Sequence, residues 1–253
     1  MHSNYHPLRL KRLTFFIVFV LTILVYNPAF ADIYVQKKDS LERILRSYTA
    51  DDKTKVDLLL SICSTYDDRQ YFDTTFLNYA QNALSIANKL KYKIGVAKGK
   101  MYCGQYFVSK RDTTNAFANL NQALSIYTQL NDPAGVINTL LSLGKIHIDF
   151  LQYKVSISNY NKALDIAIHN NFDRYQSILY RELGHVFYRL LDFSKALEFY
   201  QKALNIAESA QLKQEKIKIF RKIGEVYYHL DKFDITIDYS TKIITLAREL
   251  NDQ

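Results

Sequence analysis

The chain has 253 residues, of which 48% are hydrophobic and 23% charged, and it carries a formal net charge of +8. This is an ordinary globular composition, which excludes a disordered or fibrous chain. The positive charge is modest and is not clustered, so it argues against a nucleic-acid-binding surface. No nucleic-acid partner is predicted.

The amino terminus departs from this composition. Three basic residues precede an apolar run from Leu13 to Tyr26, and the small residues Ala29 and Ala31 follow it. The pattern is typical of a secretory signal peptide, and the run is shorter than the roughly 20 residues that span a bilayer. We predict a signal peptide over residues 1–31 that engages the membrane and the export machinery. Its cleavage would leave a periplasmic or extracellular protein, and the alternative is an uncleaved anchor in the inner membrane.

Glycines recur at intervals of forty residues along the rest of the chain. One set shares a single phase: Gly104, Gly144, Gly184 and Gly224. A fixed period between 20 and 50 residues indicates a solenoid. Because glycine costs about 1 kcal/mol relative to alanine inside a helix, its recurrence predicts that two helices approach closely in each repeat. The small surface opposite the glycines is predicted to come from alanines at one phase of the second helices: Ala123, Ala163 and Ala203.

The strongest repeat reads aromatic-x-x-Leu-Gly-x-x-aromatic from Tyr180 to Phe187, then Ala-x-x-x-Tyr-x-x-Ala from Ala196 to Ala203. This pattern resembles the tetratricopeptide repeat family over about residues 56–253. The period of forty residues in place of the family's 34 predicts longer helices, and the first repeat has Ser64 where glycine is expected. The resemblance implies a binding scaffold without catalytic activity, and we find no catalytic motif in the sequence.

Helix signals follow the same period. Asp39-x-x-Glu42 has the pattern of a capping box and predicts a short capping helix within residues 32–55. N-cap candidates precede later helices at Asp73, Asp112 and Asp132, the last followed by Pro133. First helices are predicted near residues 56–68, 95–109, 134–150, 174–190 and 215–230, and second helices near residues 73–90, 113–130, 153–170, 193–210 and 233–250. The predicted fold is all-α, a right-handed α-solenoid of about five tetratricopeptide helix pairs over residues 56–253.

The two cysteines, Cys63 and Cys103, lie forty residues apart. An even number of cysteines in an exported protein allows a disulfide. The same phase is occupied by Leu143, Leu183 and Ile223 in later repeats, which indicates a core position. Equivalent positions on packed helices lie about 8–10 Å apart, beyond the roughly 7 Å that a disulfide allows between Cα atoms. We therefore predict two buried thiols. His147, in the phase of Phe187 and Tyr227, is likewise predicted to pack in the core.

The resemblance implies that partners bind on the face formed by the first helices, at positions three before and one, four and five after the packing glycine. On this sequence the candidates are Met101, Gln105, Val108, Ser109, Leu141, Lys145, Ile148, Asp149, Arg181, His185, Tyr188, Arg189, Arg221, Glu225, Tyr228 and His229. The last two repeats combine arginine with tyrosine, the residue types in which binding energy concentrates. Such a surface suits a carboxylate or an acidic peptide; the alternative is a solvated polar face with no specific partner.

His185, Glu225 and His229 offer metal-ligand types, but nearby arginines oppose a cation and no fourth ligand is evident, so neither metal nor cofactor is predicted.

The sequence stops where another first helix would begin, and solenoids require a cap on their last helix. We therefore expect a partner or a second copy to cover it, or the chain to be the front part of a longer architecture. The alternative function is the extracytoplasmic sensor portion of a bacterial membrane-bound transcriptional or two-component regulator whose output domain is absent from this chain.

Overall fold

A computed structural model describes residues 35–66 and 73–251. Every regular element within those residues is an α-helix. None of these helices is both long and apolar enough to span a bilayer. The predicted signal peptide lies outside the described residues.

The helices alternate between first and second members of successive pairs. Helix α1 covers residues 35–47. The pairs that follow are α2 (Lys53–Cys63) and α3 (Thr74–Lys89), α4 (Lys93–Ser109) and α5 (Thr113–Gln129), α6 (Pro133–Asp149) and α7 (Tyr153–His169), α8 (Asp173–Arg189) and α9 (Phe193–Ser209), and α10 (Lys213–His229) and α11 (Phe233–Asn251). All ends except those of α2 agree within two residues with the predicted ones, so the all-α fold of five tetratricopeptide-like helix pairs is confirmed.

Helix α2 differs from its predicted range of residues 56–68. It begins at Lys53 because the side chain of Asp52 caps it, accepting a hydrogen bond from the backbone N–H of Lys55. It ends at Cys63, where the hydroxyls of Ser64 and Thr65 donate to backbone carbonyls three residues earlier, at 2.7 Å each. Such local bonds compete with the helical ladder and favour a terminus.

The capping box predicted at Asp39 is wrong, since α1 already includes residues 35–47 and Asp39 lies inside it. The apolar side of this helix is only partly covered. Leu41 and Leu45 pack against the core cluster around Ile62 and Phe76, whereas Ile44 is 50% exposed. The three N-cap predictions are correct: each carboxylate accepts a backbone N–H in the first turn, at Asp73, Asp112 and Asp132.

The chain separates into two compact units, Asp32–Ile166 and Ala167–Gln253. In the first unit, Cys63 and Cys103 are buried in one cluster with Phe76 and carry free thiols. Burial raises the pKa of both thiols, to about 11 for Cys103. The core role predicted for both cysteines is confirmed. In the second unit, α8 to α11 surround a core that includes Tyr200 and Ile219.

At two of the recurring packing glycines, a neighbouring tyrosine ring leaves no room for a side chain. A Cβ on Gly144 would lie 2.2 Å from the ring of Tyr160, and one on Gly184 would lie 2.6 Å from the ring of Tyr200. Close approach within the pair is therefore confirmed. The small alanine surface predicted opposite the glycines is not confirmed, because a tyrosine ring of the second helix lies against each of these two glycines. Ala203 instead offers its carbonyl to the hydroxyl of Ser177, at 2.9 Å.

Each of the eight turns from α3 to α11 places one residue in the left-handed region, and at two of them this residue is leucine. Leu151 has a φ of 58° and Leu191 a φ of 62°. A side chain with a Cβ in this region costs roughly 1–2 kcal/mol, and Leu191 is 73% exposed, so no packing offsets the strain. Replacing Leu191 with glycine should raise the free energy of unfolding by about 1 kcal/mol, measured by urea denaturation.

The neighbouring Leu190 provides the matched control. It is also exposed but has a φ of −80°, which is ordinary for any residue. Leu190→Gly should therefore lower stability or leave it unchanged, because glycine only adds freedom to the unfolded chain. Equal effects of the two substitutions would contradict the strain at Leu191.

Candidate functional site

Six aromatic and histidine rings form a continuous cluster in the second unit. Centroids of neighbouring rings lie 5.5–6.2 Å apart. The members of this ring cluster are His185, Tyr188, Phe193, Tyr228, His229 and Phe233. Aromatic pairs at such distances prefer tilted or offset arrangements, and His229 makes three of these contacts, to Tyr188, Phe193 and Tyr228.

The forty-residue period explains why these rings meet. The last turns of α8 and α10 contribute Tyr188 and Tyr228, and the first residues of α9 and α11 are Phe193 and Phe233. Equivalent positions of successive pairs thus bring similar side chains side by side. The cluster is only partly covered: Tyr228 is 40% exposed. An apolar surface of this kind, with a polar margin, is typical of an interaction site.

Arg181 does not contribute to this surface in the way the sequence suggested. Its Nη1 donates to Glu182 Oε1 at 2.7 Å and its Nε to Glu215 Oε1 at 2.5 Å. Both glutamates are buried. Burial opposes the charge on Arg181, but Glu182 and Glu215 outweigh it and hold the pKa of the guanidinium above its usual value. The guanidinium is therefore engaged within the protein and links α8 to α10, which corrects the expectation of an arginine fork open to a ligand.

The other predicted charges lie around the ring cluster. Arg189 is exposed at the end of α8, and the side chain of Arg221 is 52% exposed. Glu225 accepts from Lys222 Nζ at 2.8 Å and lies 3.9 Å from Arg221 Nε. Helix α10 carries five lysine and arginine residues against two glutamates, so this helix is positive on balance.

His185 is half-buried within the cluster. Burial, followed by the nearby Lys222, lowers its pKa to about 4, while Glu182 and Glu225 act in the opposite direction. The imidazole is therefore neutral at physiological pH. Among residues 35–66 and 73–251, no three His, Cys, Asp or Glu side chains are grouped so as to hold a metal ion.

In the first unit, the predicted positions are divided between surface and core. Lys145 is exposed, and Gln105 Nε2 donates to Ser142 Oγ at 3.2 Å. The predicted binding positions Leu141 and Ile148 are buried and join the core, which corrects their assignment to the binding face. Met101 is also largely buried but lines a groove on the first helices.

A groove of about 470 Å³ does occur on the first helices α2, α4 and α6. Its polar lining includes Asp57, Ser61, Lys98 and Asn138. Sequence reasoning missed Lys98 and Asn138, which lie three residues before the predicted positions 101 and 141. The signal was available, because both are polar and share one phase.

Comparison with known proteins identifies the repeats. Residues 135–209 match the family model described as "Tetratricopeptide repeat". Residues 135–209 therefore carry tetratricopeptide repeats. No curated protein matches the sequence.

Solved structures of tetratricopeptide and related repeat proteins resemble this chain. BtubC from P. vanneervenii is 16% identical, with a TM-score of 0.59 over 88% of this chain and 91% of that one. A Rap protein complexed with Competence and Sporulation Factor is 16% identical, with a TM-score of 0.64 over 91% and 76%. The tetratricopeptide-sensor protein of the STAND ATPase class from Pyrococcus horikoshii is 18% identical, with a TM-score of 0.63 over 95% and 38%. At these identities the likeness shows the fold alone.

Tetratricopeptide repeats are in general protein-interaction scaffolds without catalytic groups of their own. Each repeat stacks on its neighbours and leaves one helical face open. In the second unit, the ring cluster lies where the last turns of α8 and α10 meet the first residues of α9 and α11.

Proposed function

We propose that the protein is an exported, non-catalytic scaffold that binds a peptide segment of a partner protein over the ring cluster. The observation that carries the proposal is the continuity of six rings at the ends of α8 and α10 and the starts of α9 and α11, of which Tyr228 is 40% exposed and His229 is exposed. Tyrosine, phenylalanine and histidine rings offer large contact areas at little cost in conformational entropy. Such a row suits an extended segment that presents apolar side chains.

The charge around the ring cluster favours an acidic segment. Arg189 is exposed and directly follows Tyr188, and Arg221 is exposed on α10, where Glu225 lies 3.9 Å from its Nε. Arginine binds carboxylates through paired hydrogen bonds. One of the similar structures, the Rap protein, was solved complexed with Competence and Sporulation Factor, which supports partner binding by a fold of this kind.

Two labelled peptides of equal length test this function: one alternates phenylalanine with glutamate, and the other alternates phenylalanine with lysine. The acidic peptide is expected to bind at least about tenfold more tightly in fluorescence anisotropy, a difference of about 1.4 kcal/mol. Tyr228→Ala and Arg221→Ala should each weaken that binding.

The controls are exposed residues of the same types elsewhere. Phe150→Ala in the first unit and Arg174→Ala at the start of α8 remove an exposed ring and an exposed arginine, and both should leave binding unchanged. Equal affinity for the two peptides, or full binding by Tyr228→Ala, would refute the proposed site.

Export is supported by the amino-terminal pattern and is tested separately, by the intact mass of the endogenous protein in soluble extracytoplasmic and membrane fractions. A soluble species of residues 32–253 is expected. A heavier, membrane-held species would favour the second candidate, a sensor portion of a longer regulator. That candidate is favoured by the likeness to the Pyrococcus horikoshii protein with a tetratricopeptide repeat sensor, of which this chain covers 38%.

A further inference from the structure

The first unit contains a groove of about 640 Å³ that lies between α5, α6 and α7. Apolar side chains such as Phe117, Leu124 and Leu140 line it together with His147, Asn159 and Lys162. Small-molecule and side-chain pockets typically have volumes of about 300–1,000 Å³ and combine an apolar lining with a few polar groups. The groove does not include any member of the ring cluster.

The corresponding space is filled by stacked rings in the two later helix pairs. Between α8 and α9, the rings of Phe187 and Phe199 lie 5.2 Å apart and 3° from parallel. Between α10 and α11, Tyr227 and Tyr239 lie 6.0 Å apart and 13° from parallel. The period of forty residues assigns these two positions to His147 and Asn159 in the α6–α7 pair. In the α6–α7 pair, the imidazole of His147 therefore replaces the ring of the first helix. The ring of the second helix is missing, because Asn159 stands at its position.

A third ring is also absent from the α6–α7 pair. Tyr180 lies 6.3 Å from Phe199, and Phe220 lies 5.6 Å from Tyr239. The equivalent residue in α6 is Leu140. Two rings are thus replaced by smaller side chains at adjacent positions, which accounts for the open volume.

In the later pairs, a lysine lies over the ring that the α6–α7 pair lacks. Lys202 Nζ lies 5.1 Å from the centre of the Phe199 ring, and Lys242 Nζ lies 4.8 Å from that of Tyr239. Such contacts attract the ammonium to the face of the ring. Lys162 stands at the same phase and lines the groove, and within the described residues no ring lies beneath it.

We propose that this groove binds one aromatic side chain of a peptide segment, which occupies the place that Phe199 and Tyr239 fill in the later pairs. The bound ring would stack on His147 and lie beneath the ammonium of Lys162. His147 is prepared for this role, because its Nδ1 is hydrogen-bonded to Gln152 Oε1 at 2.7 Å and its ring also contacts Phe117, 5.2 Å away. A peptide side chain is favoured as the occupant because phenylalanine and tyrosine side chains fill this place elsewhere in the same chain. The inference goes beyond the proposed function and concerns a separate surface.

The test uses the full chain and two matched probes, N-acetyl-phenylalaninamide and N-acetyl-cyclohexylalaninamide, which differ only in aromaticity. In NMR titrations the phenylalanine probe should show saturable binding and shift the ring protons of His147 upfield. The cyclohexyl probe should bind at least about threefold more weakly, because it cannot interact with Lys162 through a π face. Equal affinity for the two probes, or no saturation at millimolar concentrations, would overturn the proposal.

Two substitutions locate the site. Asn159→Phe supplies the missing ring from the chain itself and should abolish binding while raising the unfolding midpoint. Asn161→Phe makes the same change on the exposed side of α7 and should leave binding intact. Lys162→Met, at an exposed position, should reduce the preference for the aromatic probe without unfolding the protein. Probe binding that survives in Asn159→Phe would place the probe elsewhere and refute the groove.

Discussion

Replacing Arg181 with alanine is expected to lower the free energy of unfolding by about 3 kcal/mol. The guanidinium forms close ion pairs with Glu182 and Glu215, and both carboxylates are buried. Without Arg181, two negative charges remain in a poorly solvated site, and removal of one partner of a buried pair typically costs about 3–5 kcal/mol. The lower end applies here because Lys218 Nζ lies 4.0 Å from Glu215 Oε2 and offsets part of that charge.

Urea denaturation of the purified protein measures this effect, with Arg174→Ala as the control. Arg174 belongs to the same helix but is exposed, so its loss should change stability by less than about 0.5 kcal/mol. The double substitution Arg181→Ala with Glu215→Ala should recover part of the loss, since it removes one of the stranded carboxylates. A loss below about 1 kcal/mol in Arg181→Ala would mean that the ion pairs do not hold α8 to α10.

Arg181 also shows what periodicity can and cannot predict about the binding face. The repeat placed it correctly on the first helix α8, because helical phase follows from residue spacing alone. Its partner Glu215 lies 34 residues away, which is not a multiple of the repeat, so no internal comparison could pair them. One signal was present: Glu215 occupies the phase of Gly95 and Gly135, where a charged residue is unexpected.

The helix ends were predictable for a different reason. Capping carboxylates such as Asp112 and Asp132, and Pro133 at a first helical position, are local signals that tertiary packing rarely overrides. The groove beside His147 could not be predicted in this way. Its open volume depends on which side chains of α6 and α7 face each other. Those positions can be recognised only once the stacked rings of the later pairs have been seen in the structure. His147 was accordingly interpreted as a core residue, although it lines the groove.

Replacing a packing glycine with alanine is expected to change the free energy of unfolding in opposite directions at two equivalent positions, Gly184 and Gly224. Gly184→Ala should lower the free energy of unfolding by up to about 2 kcal/mol. The added Cβ would lie 2.6 Å from the ring of Tyr200 and 3.1 Å from the carbonyl oxygen of Ala196. Tyr200 is completely buried and cannot move aside, so overpacking of about 1–3 kcal/mol exceeds the gain of about 1 kcal/mol in helix propensity.

Gly224 shares the phase of Gly184 but not its surroundings. The position equivalent to Tyr200 is Ser240 in α11, and a Cβ on Gly224 would meet only the Cβ of Tyr239, at an ordinary contact distance of 3.7 Å. Gly224→Ala should therefore raise the free energy of unfolding by up to about 1 kcal/mol. Urea denaturation measures both effects, because a shift of the unfolding midpoint with an unchanged slope reports a change in stability. Destabilisation by both substitutions would mean that the recurring glycine serves close packing in every pair, whereas opposite signs would show that the tyrosine of the second helix makes glycine necessary.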